Sequence, residues 1–310
     1  MKQTYNKVVF YNCWGHGDIH LVRGLVRKSI KLFKNIGVDK FEFCHAKDPC
    51  LISDVNILTS SAEYKYCKSI NHSDVNIKND VLYFNTWAGQ CRYAFTKKYK
   101  FTFKCLCKIF ESNLAKAGIN YSFDNCVLDV FPDINFSKFR VGKINKYVTN
   151  KHNLIFVSDE RGRSGQGNFY SFNKIIHELS PLYPKCTFII ANPKKLNIAH
   201  NNIISASKII GKRSNDLNES AYLSTFCKLI IGKVTGSFSY AMNKKNLYER
   251  EAVLLAFSAG TNSIIPECSK NLLLGYDEPN YLAKTVNRQI RDEPVVKKII
   301  NEYISQFNPS

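Results

Sequence analysis

The strongest constraint on this chain is a recurring order of segments: a short apolar run, a turn carrying glycine, then an amphipathic stretch. "KVVFYN" (7–12) gives way to "CWGHGD" (13–18). Ile19, Val22, Leu25, Val26, Ile30 and Phe33 then recur at helical spacing, with Arg23, Arg27, Lys28, Lys31 and Lys34 between them. That spacing predicts a helix from Asp18 with one buried face and a basic outer face. Gly37 ends it, and "FEFCHA" (41–46) reads as the next strand. Strands joined through helices form parallel sheets, because a parallel neighbour can be reached only by a crossover.

The second half repeats the order. "NLIFVSD" (153–159) reads as a strand and "ERGRSGQGN" (160–168) as a glycine-bearing loop. Phe172, Ile175, Ile176 and Leu179 then fit i, i+3, i+4 and i+7. "CTFIIAN" (186–192), "IISASKII" (203–210), "KLIIGK" (228–233) and "AVLLAFS" (252–258) read as strands. "SNDLNESAYLSTF" (214–226) reads as a capped helix and "VTGSFSYA" (234–241) as a turn. Between the halves, "VLYFNTWAG" (81–89) is a strand entering a loop, and 101–118 is helical. "NCVLDVFPDINF" (125–136) is strand then loop, and 136–153 is a polar connector. The expected fold class is α/β: two Rossmann-like, doubly wound parallel-sheet domains, 1–150 and 151–310, facing a cleft.

A length of 310 residues suits two such domains. No apolar run approaches the roughly 20 residues needed to cross a bilayer. The first strand lacks a cleavage site, so no secretory signal is expected. The eleven cysteines are an odd number without a CxxC pair. They read as reduced thiols of a cytoplasmic protein. Cys105 and Cys107 form the one close pair, and no second pair completes four metal ligands; neither metal nor cofactor is expected. The net charge of +19 attracts phosphates, whether of nucleotides, nucleic acid or an anionic membrane surface.

In open parallel sheets ligands bind beyond the carboxyl ends of the strands. Three glycine loops leave strands there: 13–18, 159–168 and 232–239. None matches GxGxxG or GxxxxGK[ST], which disfavours dinucleotide and P-loop chemistry. They offer backbone N–H groups, hydroxyls and arginines, partners for a diphosphate held without a metal. In the second loop these are Arg161, Arg163, Ser164, Gly165 and Gln166; in the third, Lys233, Thr235, Gly236 and Ser237. Glu219 either binds a ribose or caps its own helix. In the first loop Asp18, His16 and His20 are candidate proton acceptors. Asp18 equally suits a helix N-cap, and His20 a structural place on the first turn.

The "GD" turn after the first strand, the glycine loop opening the second domain and "LNESAYLSTFCKLIIGKVTGSFSYA" (217–241) resemble GT-B glycosyltransferases of the heptosyltransferase-like group. The resemblance covers about a third of the chain. It implies an acceptor-binding first domain, a donor-binding second domain, Asp18 as catalytic base, and Thr235, Gly236 and Ser237 at the donor phosphates. It further implies metal-independent, inverting transfer from a nucleotide-sugar co-substrate. The chain departs from the family in reading Lys-Val-Thr-Gly-Ser where an acidic residue is usual.

For the acceptor, Asn85, Trp87 and Gln90 lie in the loop after the 81–85 run. Trp87 either stacks on a sugar or belongs to the core. Residues 81–110 contain no acidic side chain and interleave Arg92, Lys97, Lys98, Lys100, Lys104 and Lys108 with aromatic rings. Such interleaving serves nucleic acid, or forms a solvated face over buried rings. The acceptor classes are therefore a glycan, a lipid-linked sugar at a membrane surface, or hydroxylated DNA bases. A non-catalytic nucleic-acid-binding protein is the alternative outside enzymes.

Overall fold

The computed structural model describes residues 5–87, 103–159, 170–191, 200–211, 216–233, 235–258 and 282–307. They form two compact units that divide between Ile134 and Asn135.

The first unit runs β1 (Lys7–Tyr11), α1 (His16–Lys34), β2 (Lys40–Cys44), β3 (Leu58–Ser60), α2 (Tyr64–Ser69), β4 (Val75–Lys78), β5 (Val81–Asn85), α3 (Phe103–Lys116) and α4 (Val127–Val130). Its strand order is β3-β2-β1-β5-β4. All pairings are parallel except that of β4 with β5. That antiparallel pair is joined by Asn79 and Asp80, both at positive φ (50° and 57°), the backbone a tight hairpin requires. The order reverses between β1 and β5, which makes the gap at their carboxyl ends the switch point of the sheet.

Helix α1 buries Ile19, Val22, Leu25, Val26 and Phe33, as its spacing predicts. It starts at His16 rather than Asp18, with Gly15 as N-cap. Its basic face is not wholly solvated, because Arg23 is completely buried. The Arg23 guanidinium donates to both carboxylate oxygens of Asp54 at 3.2 Å and to the Leu51 carbonyl at 2.7 Å. Arg27 pairs with the same carboxylate. At the residue after Arg23, a Cβ on Gly24 would lie 2.1 Å from the carbonyl oxygen of Val130, so α4 packs directly against the α1 backbone. Residues 127–130, expected as a strand, are helical there. A four-residue apolar run carries no period that separates the two states, and contact with α1 decides.

The second unit runs α5 (Gly142–Val148), β6 (Leu154–Ser158), α6 (Phe172–Leu179), β7 (Thr187–Ala191), β8 (Ile203–Ser205), α7 (Ala206–Ile210), α8 (Leu217–Ser224), β9 (Leu229–Lys233), α9 (Gly236–Ala241), α10 (Lys244–Tyr248), β10 (Val253–Ser258), β11 (Lys284–Gln289) and α11 (Glu293–Ser305). Strand order is β11-β10-β9-β6-β7-β8, parallel throughout. Numbered within the unit this is 3-2-1-4-5-6 from the β8 edge, the Rossmann order, with its switch point between β6 and β9.

Alternate residues of these strands (Ile155 and Val157, Phe188 and Ile190, Leu229 and Ile231, Leu255 and Phe257) meet Phe172, Ile175, Ile176 and Leu179 of α6. Val296, Ile300 and Ile304 of α11 complete that core. Three segments differ from the sequence expectation. The polar connector 136–153 contains α5, which packs on α7. The run 203–210 is strand only as far as Ser205. Residues 236–241, read as a turn, are helical. A Cβ on Gly232 would sit 2.0 Å from the Phe238 ring, so the glycine lets α9 close onto β9.

Removing one partner of the buried pair leaves an uncompensated charge in the core of the first unit. Asp54→Ala is expected to lower the unfolding free energy by about 3–5 kcal/mol, read as the shift in a urea titration.

Candidate active site

Each unit brings a set of polar groups to its switch point. In the first unit the loop after β1 carries Asn12, Trp14, Gly15 and His16, and the neighbouring loop after β5 carries Thr86 and Trp87. Thr86 donates its backbone N–H to the Tyr11 carbonyl at 3.0 Å, and Asn12 Nδ2 donates to Thr86 Oγ1 at 3.3 Å. These bonds extend the β1–β5 pairing one residue past the strands and fix both loops.

Asp18 stands at the third position of α1, half-buried, and its carboxylate accepts the Gly15 N–H at 3.1 Å. Protein crowds the carboxyl group, and the resulting loss of hydration pushes its pKa up to about 6, against the lowering effect of the backbone N–H bonds. The group is thus both a helix-end acceptor and a carboxylate poised near neutrality. His16 opens the same helix, half-buried. Its neighbour His45, at the end of β2, is 1 % exposed and accepts the Lys47 N–H on Nδ1. Burial foremost, then the neighbouring His16 and Lys47, lowers its pKa to about 4. His20 is fully buried among the α1 core residues, where burial and then Arg23 and Arg27 hold its ring neutral.

Asn85 is 1 % exposed and engaged on all sides: Oδ1 accepts from the Trp87 N–H, and Nδ2 donates to the Asn71 and Ser73 carbonyls. It shapes its loop. Gln90 lies outside the described residues.

In the second unit Ser158 ends β6 and its hydroxyl lies 2.9 Å from that of Ser237 on α9; Thr235 Oγ1 lies 3.1 Å from the same hydroxyl. Gly236 begins α9, so Thr235, Gly236 and Ser237 are brought together beside the end of β6. Glu219 is buried in the first turn of α8, which packs on α9. Lys233 is buried and its ammonium reaches Asp159 Oδ1 at 3.0 Å, above the rings of Phe172 and Tyr170. Asp159 in turn accepts from the Phe172 and Asn173 N–H groups and the Ser171 hydroxyl, closing the N-terminus of α6. The charge of Lys233 is therefore balanced within the fold, and the pair ties the end of β9 to α6. Arg161, Arg163, Ser164, Gly165 and Gln166 lie outside the described residues. Among the described residues, no group of three or more His, Cys, Asp or Glu side chains is placed to hold a metal ion. No described helix is long and apolar enough to cross a membrane.

Reading the loops one at a time left out Asn12, Trp14, His45, Ser158 and Asp159. A signal for the first two was present in the sequence. "YNCW" (11–14) and "FNTW" (84–87) share aromatic-Asn-X-Trp at the ends of two strands.

No protein-family model matches the sequence, and comparison with curated proteins finds no match. Among solved structures the chain is similar to ADP-heptose lps heptosyltransferase II of E. coli, with a TM-score of 0.52 and 12 % identity over 97 % of this chain and 99 % of that one. It is similar also to E. coli heptosyltransferase WaaC with ADP, with a TM-score of 0.50 and 10 % identity over the same shares. The chain has the GT-B fold. Gly17 and Asp18 fall in the first turn of α1, after the central strand of the first sheet, and Thr235–Ser237 follow β9, beside the switch point of the second.

Because burial raises the Asp18 pKa, the folded state holds that proton more tightly than the unfolded chain. Its carboxylate costs stability above about pH 6, and the cost fades as pH falls toward the ordinary value of 3.8. Asn keeps an oxygen to accept the Gly15 N–H. Asp18→Asn is therefore expected to raise stability by about 1–2 kcal/mol at pH 7, after allowance for partial exposure. Urea titrations at pH 7 and pH 4.5 should show that gain shrinking at the lower pH.

Proposed function

We propose that this chain transfers a glycosyl group from a nucleotide-activated sugar to a hydroxyl of a glycan or similar acceptor, without a metal ion and with inversion. The observation that carries this reading is the desolvated carboxylate of Asp18 at the switch point of the first sheet. Support comes from the GT-B fold along nearly the whole chain, one of whose owners is named for ADP-heptose.

A carboxylate with a pKa near 6 is ionised at neutral pH yet basic enough to take a proton as an acceptor hydroxyl attacks. The acceptor hydroxyl oxygen bonds the anomeric carbon from the side opposite the diphosphate as its proton passes to the carboxylate, and the bond to the diphosphate breaks with its electrons leaving on the diphosphate. One such displacement inverts the anomeric centre. The departing diphosphate gathers negative charge, which oriented N–H groups and hydroxyls stabilise. Thr235, Gly236 and Ser237 supply these, with Arg161 and Arg163 as partners for phosphate oxygens. Glu219 is the acceptor for ribose hydroxyls. Lys233, neutralised by Asp159, holds the end of β9 in place rather than adding free charge.

A panel of ADP-, UDP- and GDP-sugars, followed by thermal shift, tests the donor site. The matching nucleotide should stabilise the protein by about 2.7 kcal/mol at a hundredfold excess over Kd. No shift with any nucleotide sinks the reading. With the matching donor, Asp18→Asn should abolish turnover and keep the shift, and wild-type turnover should fall tenfold per pH unit below about 6. Turnover unaltered in the variant removes Asp18 from the chemistry, and turnover lost to a chelator removes the metal-free mechanism.

A further inference from the structure

The loops after β1 and β5 are built alike. Asn12 Oδ1 accepts the Trp14 N–H at 3.0 Å, and Asn85 Oδ1 accepts the Trp87 N–H at 2.9 Å, so each strand ends in the same side-chain-closed turn. Both asparagines are 1 % exposed. The turns bring two indoles face to face, ring centroids 4.1 Å apart and planes 16° from parallel. Trp87 is half-buried and Trp14 is 42 % exposed.

An apolar side chain of this size gains most by entering the core, yet neither tryptophan is among the buried residues. Instead, hydrogen bonds from two buried asparagines hold the pair at the carboxyl edge of the sheet, where a flat aromatic surface meets solvent. A rigid indole suits the C–H face of a sugar ring or the face of a nucleobase. The surroundings separate the two. Gly15, next to Trp14, donates its N–H to the Asp18 carboxylate, so a negative group stands beside the platform. It would repel a phosphodiester backbone and accept a hydrogen bond from a sugar hydroxyl. On the α3 side of the same unit, Lys108 is occupied by Glu111 and Asp124.

We propose that the Trp14–Trp87 stack is the acceptor platform, taking a pyranose ring on the exposed indole of Trp14 within reach of Asp18. The choice of a saccharide rests on the glycosyl-transfer reading; the platform rests on the geometry. Asn12 and Asn85 are positioning residues that aim the indoles and do not touch the sugar.

Trp14 and Trp87 are the chain's two tryptophans, so its tryptophan emission reports on this stack alone. The full chain, without nucleotide, is titrated with methyl pyranosides and short pyranose oligosaccharides. A saturable change in emission is expected, tighter for the oligosaccharides. Trp14→Ala should weaken binding on the order of tenfold, followed by calorimetry, while Trp14→Phe keeps most of it. In turnover, Trp14→Ala should raise the acceptor KM and leave the donor KM unchanged, and far-UV circular dichroism confirms that the variant is folded. Three results overturn the proposal: no saccharide perturbs the emission, oligothymidylate does so saturably instead, or Trp14→Ala binds saccharide as wild type does. A failed nucleotide panel leaves this titration standing, and a failed titration leaves a donor shift standing, so the two readings fall separately.

Discussion

In a parallel sheet every strand must be entered from the same end, so each connection crosses back over a face and all carboxyl ends collect along one edge. Both units obey this rule apart from the antiparallel β4, and in each the strand order reverses at one place. That switch point lies between β1 and β5 in the first unit, and between β6 and β9 in the second. Polar side chains gather at both switch points because backbone and side chains there must satisfy one another. Asn12 with Thr86 does so in the first unit, and Ser158 with Ser237 in the second.

The charges around those switch points are partitioned by burial. Arg23 and Lys233 are counted among the cations that make this chain strongly basic, yet both are spent inside the fold on Asp54 and Asp159. A buried cation is tolerated only with a hydrogen-bonded partner. Each pair also anchors an element: Arg23 fastens α1 to the turn 49–55, and Asp159 fastens β9 to α6. Asp18 is the contrasting case. It is crowded by protein without a cation bonded to it among the described contacts, and its pKa rises instead.

The sequence was most legible where period and punctuation agreed. Phe172, Ile175, Ile176 and Leu179 became the buried face of α6, and Gly37 took a positive φ of 91° at the end of α1. It was least legible where neighbours in space choose the state. Residues 127–130 carry no period of their own, and 236–241 became helical because Gly232 admits Phe238. The antiparallel β4 was missed because Asn79-Asp80 was not read as a hairpin.

By itself the sequence determined the alternation of strand and helix, the parallel sheets that alternation forces, and the glycine turns at their carboxyl edges. Asp18 and Thr235–Ser237 stood out as candidates because polar residues beside a glycine at a strand's end are a local signal. Only the tertiary structure decided which residues meet. Trp14 and Trp87 stand 73 positions apart in the chain, and nothing in either loop alone says that they stack. Parallel pairing of β1 with β5 brings the two Asn-X-Trp turns to one edge, and the indoles join because the sheet spacing leaves them one ring thickness apart.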